Sequence, residues 1–406
     1  MSILGFNRQV RKNYRFVAWL SGAVGFTLSI VAIEALLHGI EHSPAWRILP
    51  IVERELGWPD PNRGYALRPN QEIINARENR SRPSTNSFGM RDSERSLTKP
   101  PHTFRLAVTG DSFTEALQVS DKSTFTRLAE IALNTGLNRK RYEILNFGFS
   151  GAGPVQQLVQ LHHQVIRFNP DAVVMIINVS HFTGDELSDD SLNPAYIYNS
   201  DGELELGYSF RNRRSQRYRN TLVGKLFFLL MDDSRVARAI YLRYVNGIGL
   251  AAAAQLYDRQ AVPTCSFLVA EIDRHLKLWS AHAPTPAFAR VEKFIADIAG
   301  VRLGEKIPVD LVLYGIGDVR ADCVDFSLKR EALVAAIEST LSLHGLRLWD
   351  ADRAVRSGFA HDNEPLSRYY GFGRERGVGH LNYSGHHAYS ELLQEVVRSL
   401  STDDHK

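Results

Sequence analysis

Apolar and polar positions follow a regular rhythm in the second quarter of the chain. Short, nearly continuous apolar runs predict buried strands at 104–108, 142–148 and 171–179. Amphipathic stretches between them predict helices at 124–136 and 155–168. Strands that are apolar on both sides and alternate with helices are typical of a parallel sheet covered on both faces. The pattern therefore predicts an α/β fold around a central parallel sheet.

The rhythm breaks between residues of about 186 and 300 and then returns. Residues 192–210 can form a hairpin around Asp201-Gly202, and 222–256 are helical in character, so this region is interpreted as an insertion or cap. The later elements are predicted as a strand at 308–317, a helix at 329–345, a strand at 346–350 and a final helix at 384–400.

The first 40 residues have a different character. Residues 1–15 carry several basic side chains and no acid, and the largely apolar stretch from Phe16 to Leu37 carries one charge, Glu34, near its end. An apolar helix of about 20 residues spans a bilayer, and its basic flank stays on the cytoplasmic side. We therefore predict a cytoplasmic tail at 1–15 and a transmembrane anchor at 16–38, with the rest of the chain on the extracytoplasmic, periplasmic side. A cleaved signal peptide and a buried helix are the alternatives.

Residues 39–100 are rich in proline and charge, which argues against long helices. We interpret them as a tether and lead-in, either free or packed against the domain that follows. The regular pattern after Pro101 places that domain at residues 101–400, including the insertion at about 186–300.

Composition narrows the function classes. A net charge of +3 gives no support for a nucleic-acid partner, and no Cys/His cluster has the spacing of a zinc site, so neither a metal nor an organic cofactor is implied. The two cysteines, Cys265 and Cys323, can form one disulfide or remain two buried thiols. The sequence does not indicate an oligomeric state.

Several residues with chemical potential follow the predicted strands. Because active groups of an open parallel sheet lie at the carboxyl ends of its strands, we collect the polar residues and glycines found there. They are Ser112 after the first strand, Gly151 after the second, Ser180 after the third, and His380 just before the last helix. A serine activated by a histidine is a nucleophile, and backbone N–H groups near it can hold an oxyanion.

The order of these motifs resembles the SGNH/GDSL hydrolase family. The resemblance rests on TGDSFTEAL, ILNFGFSGAG, NPDAVVMIINVS and GHLNYSGH, and covers residues from about 86 to 400. It implies a flavodoxin-like, three-layer fold with Ser112 as nucleophile and His380 as base. It also implies that the backbone N–H of Gly151 serves the oxyanion. Typical members are esterases, lipases or carbohydrate deacetylases, and some membrane-associated relatives move acetyl groups.

Two positions depart from the family pattern. The family's third block usually has an asparagine where this chain has Ser180, whose hydroxyl can also donate to an oxyanion; Asn178 lies two residues earlier. The family's triad acid lies three residues before the histidine, where this chain has Gly377. The candidates for orienting His380 are a backbone carbonyl or one of three acids in the preceding loop, namely Asp362, Glu364 and Glu375.

These features predict a membrane-anchored, extracytoplasmic serine esterase or deacylase that acts on an acylated carbohydrate or lipid. One alternative is a catalytically degenerate protein of the same fold that binds or helps to assemble cell-surface polysaccharide. Another is an O-acyltransferase. No motif in the insertion names a ligand.

Overall fold

The computed structural model describes most of the chain, in eleven segments. The described residues are 3–44, 57–75, 78–136, 141–182, 187, 193–241, 265–280, 285–315, 324–353, 368–372 and 379–402. They fall into two compact units. Residues 3–44 and 225–241 belong to the first unit, and the other described residues belong to the second.

The first unit is dominated by helix α1 (Ile3–Glu41). Its part from Tyr14 to Glu41 is long and apolar enough to cross a membrane, and its large apolar side chains are exposed. A core helix would bury them, so the interpretation as a buried helix does not fit. The remaining interpretations are an anchor and a signal sequence.

The second unit is built on a five-stranded parallel sheet. Its strands are β3 (Thr103–Thr109), β4 (Arg141–Asn146), β5 (Ala172–Asn178), β8 (Val309–Tyr314) and β9 (Arg347–Asp350). The spatial order is β4-β3-β5-β8-β9, and every neighbouring pair is parallel. Renumbered within the sheet, this order is 2-1-3-4-5, the flavodoxin-like order. The predicted fold class is confirmed.

The central strand β5 shows why its sequence is apolar throughout. Side chains of successive strand residues point to opposite faces of a sheet. Val173, Met175 and Ile177 lie in one hydrophobic core, whereas Ala172, Val174 and Ile176 lie in the other. Because helices cover both faces, neither set of positions can be polar.

Helices form the two outer layers. The second core contains side chains of α3 (Phe125–Asn134) and α11 (Tyr383–Thr402), and the first contains those of α4 (Pro154–His163), α9 (Pro286–Gly304) and α10 (Val324–Leu343). The predicted strands and helices of the sheet are therefore present, with ends that differ by a few residues. The predicted helix 155–168 ends five residues early, where 164–168 form a 3-10 turn, and the helix predicted from 329 begins five residues early, at Val324.

The region that interrupts the rhythm contains small elements. The predicted hairpin is present as β6 (Ala195–Tyr198) and β7 (Leu204–Gly207), which pair antiparallel. The helices are α5 (Arg214–Arg219), α6 (Leu222–Asp233), α7 (235–241) and α8 (Cys265–Ser280). Helix α9 already packs in the first core, so the strand–helix rhythm resumes at Pro286 and not after residue 300. Cys323 lies outside the described residues, as does the stretch 242–256.

From residue 57 onward, the described part of the lead-in packs against the sheet domain. Its residues include a short hairpin of β1 (Trp58–Asp60) and β2 (Gly64–Ala66). The guanidinium of Arg91 is buried and donates to the carbonyl of Val119 at 2.8 Å. Hydrogen bonds of this kind hold the segment against the domain, although its prolines keep it from forming long helices.

A buried histidine on α11 makes the stability of the fold depend on pH. His386 is buried, and its Nδ1 accepts a hydrogen bond from the backbone N–H of Phe125 at 3.3 Å. Burial and the nearby charge of Arg91 lower the pKa of His386 from 6.5 to about 3. Between these values the unfolded chain binds a proton that the folded protein excludes, so stability is complete above pH 6.5 and is lost as the pH falls.

We expect the free energy of unfolding to fall by about 2 kcal/mol between pH 6.5 and pH 5 from this residue alone. His386→Asn keeps an acceptor for Phe125 but does not titrate, so the dependence on pH should flatten by that amount in chemical unfolding of the full chain in detergent. The neighbouring His387 is exposed, and His387→Asn is the matched control. An unchanged slope in His386→Asn would contradict the assignment.

Candidate active site

The stretch Gly110-Asp111-Ser112 joins the end of β3 to a short helix, α2 (Ser112–Glu115). The side chain of Asp111 caps this helix by accepting the backbone N–H of Phe113 at 3.0 Å. Ser112 is therefore the first helical residue, placed at the carboxyl end of a central strand. Gly110 is required here because a Cβ on it would lie 2.0 Å from Oγ1 of Thr114.

Asp111 is held from the neighbouring strand as well. Tyr314, the last residue of β8, donates its hydroxyl to Oδ2 of Asp111 at 2.5 Å. Burial and the Asp111 carboxylate raise the pKa of Tyr314 well above its usual value, so the hydroxyl stays protonated as a donor. The Phe113 ring lies 4.5 Å from that of Tyr314 and 5.2 Å from that of His380, measured between ring centroids. The nucleophile turn and the histidine are thus packed through one aromatic side chain.

The structure brings Ser112 and His380 into contact. Oγ of Ser112 lies 2.8 Å from Nε2 of His380, although the two residues are 268 positions apart in the chain. This is hydrogen-bonding distance. The two residues predicted as nucleophile and base therefore occupy one site.

The other nitrogen of the His380 ring contacts a carboxylate that the sequence analysis did not consider. Nδ1 lies 2.6 Å from Oε1 of Glu78, and Oε2 of Glu78 accepts the backbone N–H of His380 at 3.2 Å. An ionised carboxylate can only accept hydrogen bonds, so Nδ1 carries the proton and Nε2 of the neutral ring is left to accept from Ser112.

The acids expected to orient His380 lie outside the described residues. These are Asp362, Glu364 and Glu375, all from the loop before the histidine. Glu78 instead comes from the lead-in, 302 positions away from His380 in the chain. Serine, histidine and carboxylate are arranged as in a catalytic triad.

Glu78 lies in a hairpin-like turn that is tied to the nucleophile's own segment. Asn75 and Ser81 pair across the turn. Nδ2 of Asn75 donates to the carbonyl of Leu117 at 3.2 Å, and Nδ2 of Asn79 donates to the carbonyl of Gln118 at 2.8 Å. Residues 117 and 118 directly follow helix α2, so the same short stretch positions both Ser112 and Glu78.

Gly379 makes the approach of Glu78 to His380 feasible. Its φ is +94°, which side chains rarely adopt, and a Cβ on it would lie 3.2 Å from Oε1 of Glu78. Two features of the sequence together could have indicated that the acid comes from another part of the chain. Position 377 is a glycine and not an acid, and Gly379, directly before the histidine, leaves room for a carboxylate from elsewhere.

Two backbone N–H groups are candidates to donate hydrogen bonds to an oxyanion. The loop after β4 is held against the nucleophile strand, because the N–H of Phe149 donates to the carbonyl of Gly110 at 3.1 Å. Gly151 in this loop is exposed and has a φ of +73°. Within the described part of the chain, the backbone N–H groups of Ser112 and Gly151 have no hydrogen-bond acceptor. They are free to donate to a bound group.

Ser180 lies in the turn after β5, where it is exposed. Its hydroxyl donates to Oδ1 of Asn178 at 2.7 Å, and its backbone N–H donates to the same oxygen at 2.9 Å. The Asn178 side chain also hydrogen-bonds Tyr314. Asn178 is therefore committed to holding this turn, and the hydroxyl of Ser180 must rotate before it can donate to an oxyanion.

Among the residues that the structure describes, no group of three or more His, Cys, Asp or Glu side chains is placed to hold a metal ion. No protein-family model and no curated protein matches the chain.

Solved structures do match. An α/β hydrolase, LAE5, from the metagenome of Lake Arreo, Spain, is 13% identical over 75% of this chain and 98% of its own, with a TM-score of 0.37. The acetylxylan esterase Axe2 from Geobacillus stearothermophilus is 11% identical over 72% of this chain and 94% of its own, with a TM-score of 0.34. A GDSL-like lipase from Bacteroides thetaiotaomicron is 13% identical over 75% and 92%, with a TM-score of 0.32. These values are too low for any substrate to be assigned to this chain from them.

The likeness of the chain to a family rests on its own features. The sheet has the flavodoxin-like order. The Gly-Asp-Ser motif and Gly151 follow strands of this sheet, and His380 precedes the last helix. By its strand order, its motifs and the contact of Ser112 with His380, this chain is similar to the SGNH/GDSL hydrolases.

Proposed function

We propose that the protein is a membrane-anchored serine esterase that removes acyl groups from a carbohydrate or lipid on the extracytoplasmic side of the membrane. One observation carries the proposal. Ser112, His380 and Glu78 form a continuous hydrogen-bonded series, with distances of 2.8 Å and 2.6 Å. This series matches what a hydroxyl needs to become a nucleophile.

The chemistry follows from that series. Oγ of Ser112 attacks the carbonyl carbon of the ester while Nε2 of His380 takes the hydroxyl proton. The backbone N–H groups of Ser112 and Gly151 donate to the oxyanion of the tetrahedral intermediate. His380 then gives its proton to the leaving alcohol, and an acyl group remains on Ser112. A water molecule then attacks the acyl group while His380 takes one of its protons. His380 returns that proton to Oγ of Ser112 as the carbon–oxygen bond breaks, which frees the serine and releases a carboxylic acid.

Glu78 has two roles in these steps. Its carboxylate holds the ring in the tautomer that leaves Nε2 unprotonated, and its negative charge stabilises the imidazolium that forms when the ring takes a proton. The side chains of Glu78 and His380 are each about one quarter exposed, 23% and 25%. The acid and the base are therefore only partly buried.

The placement outside the cytoplasm rests on the basic residues before the apolar part of α1. Positive flanks stay on the cytoplasmic side, so a chain that leaves α1 at Glu41 continues on the other side. Hydrolysis and acyl transfer share the acyl-enzyme, and they differ only in whether water or a substrate alcohol accepts the acyl group.

The proposal is tested by covalent labelling. We expect a fluorophosphonate to react with the full chain in detergent, and peptide mass spectrometry to find the label on Ser112. Ser123, which is partly exposed, should remain unlabelled, because its hydroxyl contacts another serine and not a histidine. Absence of label on the folded chain would instead favour the degenerate binding protein, and labelling at another serine would place the site elsewhere.

A further inference from the structure

Helix α6 (Leu222–Asp233) has an apolar surface that the described part of the protein leaves uncovered. Leu226, Leu229 and Leu230 are 55%, 37% and 53% exposed, and Ile240 on α7 is 66% exposed. The three leucines lie at i, i+3 and i+4, so they share one face of the helix. A contiguous apolar face of this kind marks a binding surface.

This surface is joined to helix α1 by a carboxylate. Glu34 accepts the backbone N–H groups of Arg235 and Val236 at 2.7 Å and 3.0 Å, and the hydroxyl of Ser234 at 3.1 Å. Glu34 thus caps the first turn of α7, which begins directly after α6. Nε of Arg235 also lies 2.5 Å from Oε2 of Glu41.

The junction lies at the outer end of the apolar part of α1. If the hydrocarbon region begins near Phe16, about 20 residues bring it to the level of Glu34. The arginine and the helix N-terminus compensate a charge that is otherwise costly at this depth. The exposed apolar side chains of α1 at this level, Ile30 and Ile33, belong to the same unit as Leu226 and Leu230.

We infer that α6 and the start of α7 form a second membrane contact, lying in the outer interface of the bilayer with the leucine face toward the lipid. This inference rests on α1 being a membrane anchor. Helix α6 has 12 residues, or about 18 Å at 1.5 Å per residue, which is too short to cross a hydrocarbon core of about 30 Å. A short helix with an exposed apolar face beside a transmembrane anchor suits the interface. The hydrogen bonds of Glu34 to the backbone N–H groups of Arg235 and Val236 hold this segment at the end of α1.

Depth-dependent quenching in the full chain tests this inference. An environment-sensitive fluorescent amino acid is placed at Leu230, and the protein is reconstituted in nanodiscs whose lipids carry a nitroxide at a shallow acyl position. We expect quenching at Leu230 to be about threefold or more above that at Leu343, an exposed leucine at the end of α10.

A third label at Ile33, which is exposed on α1 at the level of the junction, separates the two claims. Quenching at Ile33 without quenching at Leu230 overturns the second contact and leaves the anchor in place, whereas quenching at neither position removes the anchor itself. Iodide, which reaches only water-exposed labels, distinguishes the ways in which Leu230 can fail. A label quenched by iodide faces water, and a label shielded from both quenchers is covered by protein; either result overturns the inference.

Discussion

Turnover of a short-chain ester should fall by about 10³- to 10⁶-fold when Ser112 is replaced by alanine. The substitution removes the attacking oxygen, while His380 keeps its contact with Glu78 and the fold keeps its core. The measurement is the initial rate of p-nitrophenyl acetate hydrolysis by the full chain in detergent, corrected for the spontaneous reaction. Residual activity is expected, since the backbone N–H groups that we propose as oxyanion donors remain.

Ser123→Ala is the matched control for this experiment. Ser123 lies 11 positions after Ser112, and among the described residues its hydroxyl hydrogen-bonds that of Ser120 at 2.8 Å. Its replacement should leave the rate within about twofold of the wild type, as surface substitutions cost little. Turnover that survives Ser112→Ala would remove the esterase proposal, because no other nucleophile contacts His380 in the described residues.

Glu78→Gln should lower kcat by about 10²- to 10⁴-fold, with a much smaller change in KM. The carboxylate accepts from both Nδ1 and the backbone N–H of His380, whereas an amide has one acceptor oxygen and one donor nitrogen. The amide therefore either repels the backbone N–H or stabilises the tautomer that protonates Nε2. In either arrangement the imidazolium also loses its stabilising charge.

Glu72→Gln provides the comparison within the same segment. Glu72 forms an antiparallel β-bridge with Ser84, and these two residues flank the turn that contains Glu78. The carboxylate of Glu72 lies 3.6 Å from the guanidinium of Arg82 at the surface. We expect it to change neither kcat nor KM appreciably. If Glu78→Gln is equally silent and Glu375→Gln abolishes turnover, the acid lies in the loop before His380, as the family pattern suggested. If neither matters, the site works as a serine–histidine pair.

The architecture was predictable because it depends on local patterns. A strand covered on both faces must be apolar at successive positions, and β5 shows this from Ala172 to Ile177. Helix ends were less accurate, as at 164–168, since the last turn of a helix depends on packing as much as on propensity. The long apolar N-terminal helix was equally predictable, because the length of an apolar run does not depend on the fold.

Some residues of the candidate site could be predicted from sequence motifs, and others are recognised only from their contacts in the structure. Ser112 and Gly151 were identified from their places after strands, His380 from its place before the last helix, and all three from the family resemblance. Tyr314 was not identified, because a buried tyrosine at the end of an apolar strand looks like core, and its hydrogen bond to Asp111 joins residues 203 positions apart. Glu78 lies in a polar, proline-rich lead-in, where one acid among several has no distinguishing pattern.

Side-chain periodicity and neighbours in the chain are enough to predict the parallel sheet, the long apolar N-terminal helix and the order of the serine and histidine motifs. Which carboxylate faces His380 depends instead on how the chain folds. Hydrogen bonding requires atoms to be within about 3 Å, and the closeness of Glu78 arises from the packing of its turn onto the segment after Ser112, at positions 117 and 118. Sequence separation carries no information about such a contact until the chain has folded.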